Sequence, residues 1–449
     1  MLYWIIKPFA SIFLRVYYKF SYKGVDKVPY GKPVVLAPNH TNAFVDPVII
    51  GIILRQKVRF FARGDVFKGA LAKRVLNSLS ISPMYRIQEG YAEVKKNDKT
   101  FEECRQLLAA NKTILMFPEA ICVQERRLRP LKKGLARIMF QTEESFDFKK
   151  DVLVVPVGLN YSDAKRFRSK LFIDFGDPVS VKEYEERYKQ DKVRAINDFT
   201  KMFEEKMARH MVIIKNRDND ELVVGIEEIY LSQWIKDKKQ NPRNLECQYQ
   251  ATREISEMIN RLDESSPDLI SSLKQKVLPY IKRLDINNLR DHLLRSESIN
   301  RMNVVRFLLE YVIIYFGMII YGIALTFNYL PFYIAKKFSA KKIKKIEFYA
   351  SVYANMAMIL WLIFYAIQLV VVALVFRNWT LLGVYALTVP ILGLFVLQFY
   401  PLMKRILGRW RLLRLVRKDR NTIAEMINER AAIITEIEFA IKKYRTSLN

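Results

Sequence analysis

Residues 33–54 read PVVLAPNHTNAFVDPVIIGIIL. The run from Pro33 to Asn39 is apolar and of strand length, and a second apolar run starting near Pro47 is of helical length. Between them lies a short stretch rich in small and polar residues, as a turn demands. A buried strand that feeds a helix through a turn is the unit from which a helix-covered sheet is built. His40, one of three histidines in 449 residues, stands in that turn, with Asp46 six positions on. Residues six apart on a helix lie about 240° from one another, so these two side chains meet only across a turn. Asp46 also stands where a helix N-cap goes, with Pro47 at the first helical position. On the pattern alone Asp46 is open to both readings, cap or partner of His40. His40 is a structural contact or a base held toward a substrate.

The same alternation continues around this stretch. Strands are expected at 33–39, 58–63, 81–85, 113–119 and 152–160, with helices near 47–55, 67–79, 91–110 and 131–144. That order predicts an α/β domain over residues 25–215, with a central, mostly parallel or mixed sheet covered by helices and a site where strands end. Residues 1–24 carry Lys7, Ser11, Arg15 and Lys19 on one helical arc and Leu2, Ile5, Ile6, Phe9, Phe13, Val16 and Phe20 opposite. This predicts an amphipathic helix lying in a bilayer interface, a short transmembrane or core helix being the alternative. The segment has spread charges and no small-residue cleavage site, so it does not read as a secretory signal.

Residues 216–300 have helical spacing, with breaks expected at NPRN and SSPD, and predict a helical connector. Residues 301–410 are the membrane region, with apolar segments at 311–335, 349–376 and 380–403, each long enough to cross a hydrocarbon core about 30 Å thick. Residues 411–449 predict a basic amphipathic helix. Three crossings would put the basic loop KKFSAKKIKKIEF (336–348) opposite the α/β domain, against the rule that cytosolic loops are rich in Lys and Arg. The favoured expectation is therefore two spans plus a re-entrant 311–335, broken near TFNYLP, with the domain on the cytoplasmic face; three full spans is the alternative.

With 74 Lys and Arg against 46 Asp and Glu, the net charge is +28, and the basic residues flank apolar stretches. That distribution points to anionic membrane lipids and not to nucleic acid, for which no recognition motif stands in the chain. Cys104, Cys122 and Cys247 are odd in number and widely spaced, which predicts neither a disulfide framework nor a metal site.

Four blocks in order resemble the glycerophospholipid acyltransferases, a family marked by Asn-His-x4-Asp. They are NHTNAFVDP (39–47), ISPMYRIQEG (81–90), FPEAICVQERRLRPLKKG (117–134) and VVPVGLNYS (154–162). The resemblance implies a membrane-bound acyltransferase moving a fatty acyl chain from acyl-CoA or acyl-carrier protein to 1-acylglycerol 3-phosphate, giving phosphatidic acid. It also implies His40 as general base and Asp46 as its orienter. Arg86, Glu119 and Arg127 would hold the acceptor, and Lys132 and Lys133 would contact phosphate or headgroup; no metal and no cofactor beyond the donor is implied. Two departures bear on substrate. Five residues, not four, separate His40 from Asp46, which is similar to the glycerol-3-phosphate acyltransferase branch ending in Phe-Val-Asp-Pro and makes glycerol 3-phosphate the alternative acceptor. Ala120, Ile121 and Cys122 replace the usual Gly-Thr-Arg.

The chemistry demands the same residues independently. Attack of a hydroxyl on a thioester needs its proton removed, and an imidazole whose tautomer is fixed by a carboxylate does this near neutral pH. The thioester is already activated, so no nucleophilic side chain is needed, and Cys122 has no base of its own nearby. The rival classes are a transacylase and a non-catalytic lipid-binding scaffold on the same fold.

Overall fold

The structure, a computed structural model, describes residues 2–67, 69–84, 97–295, 304–343 and 346–447. The chain forms two compact units, residues 1–213 with 345–352, and residues 214–344 with 353–449.

The first unit begins with helix α1 (Leu2–Tyr17), strands β1 (Lys19–Lys23) and β2 (Val34–Pro38), helix α2 (Val45–Ile53) and strand β3 (Val58–Arg63). It continues through α3 (Ala70–Ser78), β4 (Ile81–Met84), α4 (Asn97–Ala109), β5 (Thr113–Leu115) and α5 (Gly134–Glu144). It closes with β6 (Leu153–Tyr161), β7 (Lys170–Phe175), β8 (Val179–Ser180), α6 (Glu185–Gln190) and α7 (Lys192–Ala208). The strands lie in the order β1-β7-β6-β2-β5-β3-β4, with β8 beside β6. Neighbours run parallel except β6 with β7 and β6 with β8. This is the mostly parallel, mixed sheet that the alternation predicts. β2 is buried along its whole length, which is why it reads as an unbroken apolar run. Val35, Ala37, Ile114 and Val154 pack under Leu108, Met139, Phe140, Phe199 and Phe203 of α4, α5 and α7.

Three local expectations need correction. The helix expected over 1–24 stops at Tyr17: Tyr18 turns into the core, where its hydroxyl donates to the Ala164 carbonyl at 2.8 Å, and residues 19–23 pair with β7. β1, β7 and β8 carry no expectation from the sequence, because β1 is an exposed edge defined by its partner. The strand expected over 113–119 ends at Leu115, and residues 116–119 leave the sheet as a loop. Tyr85, Arg86 and residues 91–96 of the expected helix lie outside the described residues.

The second unit holds α8 (Asp220–Asp237), α9 (Leu245–Ser265) and α10 (Pro267–Ile286), then α11 (Val304–Lys342), α12 (Ile346–Phe376), α13 (Trp379–Lys418) and α14 (Arg420–Thr446). The first two turns of α12 belong to the first unit. The chain leaves helical geometry around NPRN and at Ser266. Residues 220–286 do more than connect: Leu222, Ile226, Ile255, Ile259, Leu273 and Val277 share one core with Ile423, Met426, Ile433 and Ile437 of α14. The basic stretch after residue 403 prolongs α13 and is not a separate element.

Helices within Phe307–Lys342, Phe348–Phe376 and Trp379–Lys418 are long and apolar enough to cross a membrane. The expected break of 311–335 into half-helices does not occur, since α11 is continuous through Pro331. A proline leaves the carbonyl four residues earlier without its N–H partner. For Pro331 that carbonyl is Phe327, and it accepts from Gln368 Nε2 of α12 at 3.0 Å. Pro390 in α13 is treated alike: the Ala386 carbonyl accepts from the Tyr365 hydroxyl of α12. At both prolines a neighbouring helix supplies the missing donor.

Candidate active site

β6, β2 and β5 are adjacent and parallel, so their C-terminal ends meet at one edge. Ligands bind where parallel strands end, and the loops that leave these three strands carry the site. Asn39 continues the β2–β6 ladder with its side chain: Nδ2 donates to the Leu159 carbonyl at 3.1 Å, and Oδ1 accepts from Leu159 N at 2.6 Å. The amide imitates one more residue of strand and sets the direction in which His40 leaves.

His40 Nδ1 lies 3.0 Å from Asp46 Oδ2. That oxygen also accepts from Thr41 N at 2.8 Å and Asn42 N at 2.7 Å, and Oδ1 accepts from the Tyr161 hydroxyl at 2.8 Å. The Asp46 side chain is fully buried, while that of His40 retains 12% exposure. An oxygen surrounded by donors keeps the imidazole hydrogen on Nδ1 and leaves the Nε2 lone pair free to take a proton. The ring lies flat on Phe117, with centroids 3.7 Å apart and planes 16° from parallel, which holds its orientation from a second side. Tyr161 loses its proton far less readily than a free phenol, first because it is buried and then because Asp46 stands beside it.

Asp46 is not the N-cap of α2. The helix starts at Val45, and Val45 N and Asp46 N both donate to the Asn42 carbonyl at 3.0 Å. With five residues between His40 and Asp46, the turn winds as an approach to the helix, and the carboxylate reaches back to the N–H groups of that turn.

Glu119 follows β5 and is 5% exposed. Its Oε1 accepts from His40 N at 3.2 Å and its Oε2 from Arg129 N at 3.4 Å. Burial pushes its carboxyl up to about 7, against the pull of those two N–H groups. The side chain that the resemblance assigns to acceptor binding thus ties two loops together through their backbones. Ala120, where the family usually has glycine, adopts the left-handed region at φ 60° that glycine enters without strain. Val123 N donates to the His40 carbonyl at 3.0 Å, closing this loop onto the turn that carries His40.

Arg127 lies on this loop with Nε 3.5 Å from Glu125 Oε2, and Arg129 shares that oxygen at 3.0 Å. Lys132 and Lys133 have exposed side chains just before α5, and Lys132 N donates to the Pro118 carbonyl at 2.8 Å. Arg86 lies outside the described residues. Sequence reasoning missed Asn39, Asn42, Phe117 and Tyr161. All four stand inside the quoted blocks, but none carries a chemical signature without its neighbours.

Residues 19–160 match the family described as Acyltransferase. Glycerol-3-phosphate O-acyltransferase 2 of Saccharomyces cerevisiae is 27% identical over 217 residues, 48% of this chain and 28% of its own length. The chloroplastic 1-acyl-sn-glycerol-3-phosphate acyltransferase LPAT1 of Arabidopsis thaliana is 24% identical over 156 residues, 34% of this chain and 40% of its own. The chain thus spans well under half the length of these relatives. Among solved structures, the 1-acyl-sn-glycerophosphate acyltransferase of Thermotoga maritima aligns over 43% of this chain and 78% of its own, at 17% identity and a TM-score of 0.30.

Proposed function

We propose, from an acyltransferase-family match over residues 19–160, that this protein moves a fatty acyl chain from an acyl thioester to the free hydroxyl of 1-acylglycerol 3-phosphate. The observation that carries the reading is the 3.0 Å bond from His40 Nδ1, just past the end of β2, to the buried Asp46 in the first turn of α2, whose carboxylate accepts from three further donors. His40 Nε2 takes the hydroxyl proton as the oxygen attacks the thioester carbonyl. The tetrahedral intermediate collapses with loss of the C–S bond, and the imidazolium returns its proton to the departing thiolate. Such a base contributes about 10²- to 10⁴-fold. The donor is a thioester of CoA or acyl-carrier protein, and the scheme asks for no further cofactor. Arg127, Lys132 and Lys133 supply positive charge for the acceptor phosphate, with Arg86 assigned the same task by its place in the second block.

The packing of α1 on α2 favours an acceptor resident in the bilayer. Tyr3 of α1 donates to the Gly51 carbonyl of α2 at 3.4 Å, while Trp4, Ile5, Phe9 and Ile12 are exposed. The helix that carries Asp46 therefore rests on one with an apolar face suited to the interface. The five-residue spacing and the yeast relative's name favour a second acceptor, glycerol 3-phosphate. Labelled acyl thioester incubated in detergent with each acceptor separates the readings. Labelled phosphatidic acid from the lysolipid is the expected product; labelled lysophosphatidic acid from glycerol 3-phosphate selects the second reading, and no product with either, alongside lipid binding, selects a scaffold.

A further inference from the structure

Residues 346–352, the start of α12, belong to the same compact unit as residues 1–213 and bring a hydroxyl group to the catalytic turn. Ser351 is fully buried. Its Oγ donates to Asn42 Oδ1 and accepts from Phe44 N at 3.1 Å. The Phe348 ring stands edge-on to Phe44 with centroids 5.8 Å apart. Asn42 is itself fully buried, and its Nδ2 donates to the Tyr18 hydroxyl at 2.8 Å and the Ala164 carbonyl at 3.2 Å. Its backbone N–H is one of the two that hold Asp46 Oδ2. Phe44 occupies the N-cap position of α2, where no side chain caps the helix from its own segment. The hydroxyl that meets this position comes from 307 residues away.

We propose that Ser351 is a positioning residue for acyl transfer, acting through Asn42 and Asp46 on the orientation of His40; this rests on the reading of His40 as the base. A single small hydroxyl fills both needs of the turn, a donor for Asn42 Oδ1 and an acceptor for Phe44 N. Alanine leaves both groups buried and unsatisfied, so the turn relaxes toward other partners and the Asp46 oxygen loses its fixed place relative to the imidazole. The relaxation misplaces the base without touching either substrate.

The test uses the full-length protein in detergent with Ser351→Ala, Ser351→Thr and, as control, Ser339→Ala. Ser339 is a second fully buried serine, and its Oγ has no hydrogen-bond partner among the described residues. Ser351→Ala is expected to lower kcat about 10- to 100-fold. KM for donor and acceptor should stay within about twofold. Ser351→Thr, which retains the hydroxyl, should recover most of the rate, and Ser339→Ala should change nothing. Backbone hydrogen exchange, followed in parallel, should quicken over residues 39–46 in Ser351→Ala while α5 keeps its protection. Unchanged exchange at the turn, or an unchanged kcat in an active wild type, overturns the proposal. A wild type inactive with every acceptor whose turn still responds in exchange overturns the acyl-transfer reading and leaves the Ser351 contact standing.

Discussion

In the proposed scheme His40 takes the hydroxyl proton, and its replacement separates catalysis from folding. His40→Ala should lower transfer by about 10²- to 10⁴-fold. Its melting temperature should stay near that of the wild type, because the ring is partly exposed and no strand depends on it. His210 is the comparison: its Nδ1 lies 2.8 Å from Asp174 Oδ2, and its ring fills the space left by Gly176. Its loss should show in melting and not in the chemical step, and a His40→Ala protein that kept its rate would end the general-base scheme. Glu119 makes a prediction of the opposite kind. Its carboxyl releases its proton at about 7 in the folded protein against a reference of 4.5. Between those values the folded state holds a proton that the unfolded state has released, so this group's contribution to stability falls as pH rises through the window. Glu119→Gln removes the titration, and its melting temperature should fall less steeply than the wild type's from about pH 4.5 to 7. Parallel slopes in the two proteins would show that Glu119 does not titrate there.

At the scale of elements, the apolar helices depend on exchanges that no single helix makes alone. If Gln368 serves the carbonyl orphaned by Pro331, Gln368→Leu should destabilise the helices by about 0.6–1.7 kcal/mol. The same change in a Pro331→Ala protein should cost less, since alanine restores the N–H that Phe327 lacks. Tyr385 also donates to Gln368 Oε1 at 3.1 Å, so the cycle is best run with Tyr385→Phe throughout. Unfolding in mixed detergent measures the four variants. Equal costs with and without the proline would assign Gln368 another role.

At the scale of the molecule, the core shared by α14 with α8, α9 and α10 constrains how the chain crosses the bilayer. Ion pairs add to it: Arg283 of α10 meets Glu425 at 2.7 Å and Glu429 at 2.6 Å. One core cannot straddle a membrane, and α8–α10 precede the three apolar helices while α14 follows them. For a chain that crosses a bilayer, this shared core predicts an even number of crossings between α10 and α14. The Arg and Lys residues that close α13 predict the side of that core, because cytosolic ends are the ones rich in such residues. Single cysteines at Asn241, Asn378 and Ser447, in a background without Cys104, Cys122 and Cys247, report the outcome with an impermeant thiol reagent on intact cells. Asn378→Cys should react and the other two should not. Labelling that divides Asn241→Cys from Ser447→Cys would overturn the shared core.

Spacing alone left Asp46 open as cap or as partner of His40, and the structure decided for the partner; the sequence by itself determined the strand-turn-helix unit at 33–54, the alternation that makes a largely parallel sheet, and the apolar helices. These are local matters: periodicity, length and spacing express a side chain's exposure and reach within a few residues of itself. Only the tertiary structure decided what completes each of them. β1 is a strand because β7 lies beside it, Asp46 is held by Tyr161 as well as by its own turn, and the carbonyl orphaned by Pro331 finds Gln368 on the next helix. Ser351 meets the turn between His40 and Asp46 from the far part of the chain. A buried polar group must find a partner, but its own sequence does not say where; that is settled only when distant segments are packed against one another.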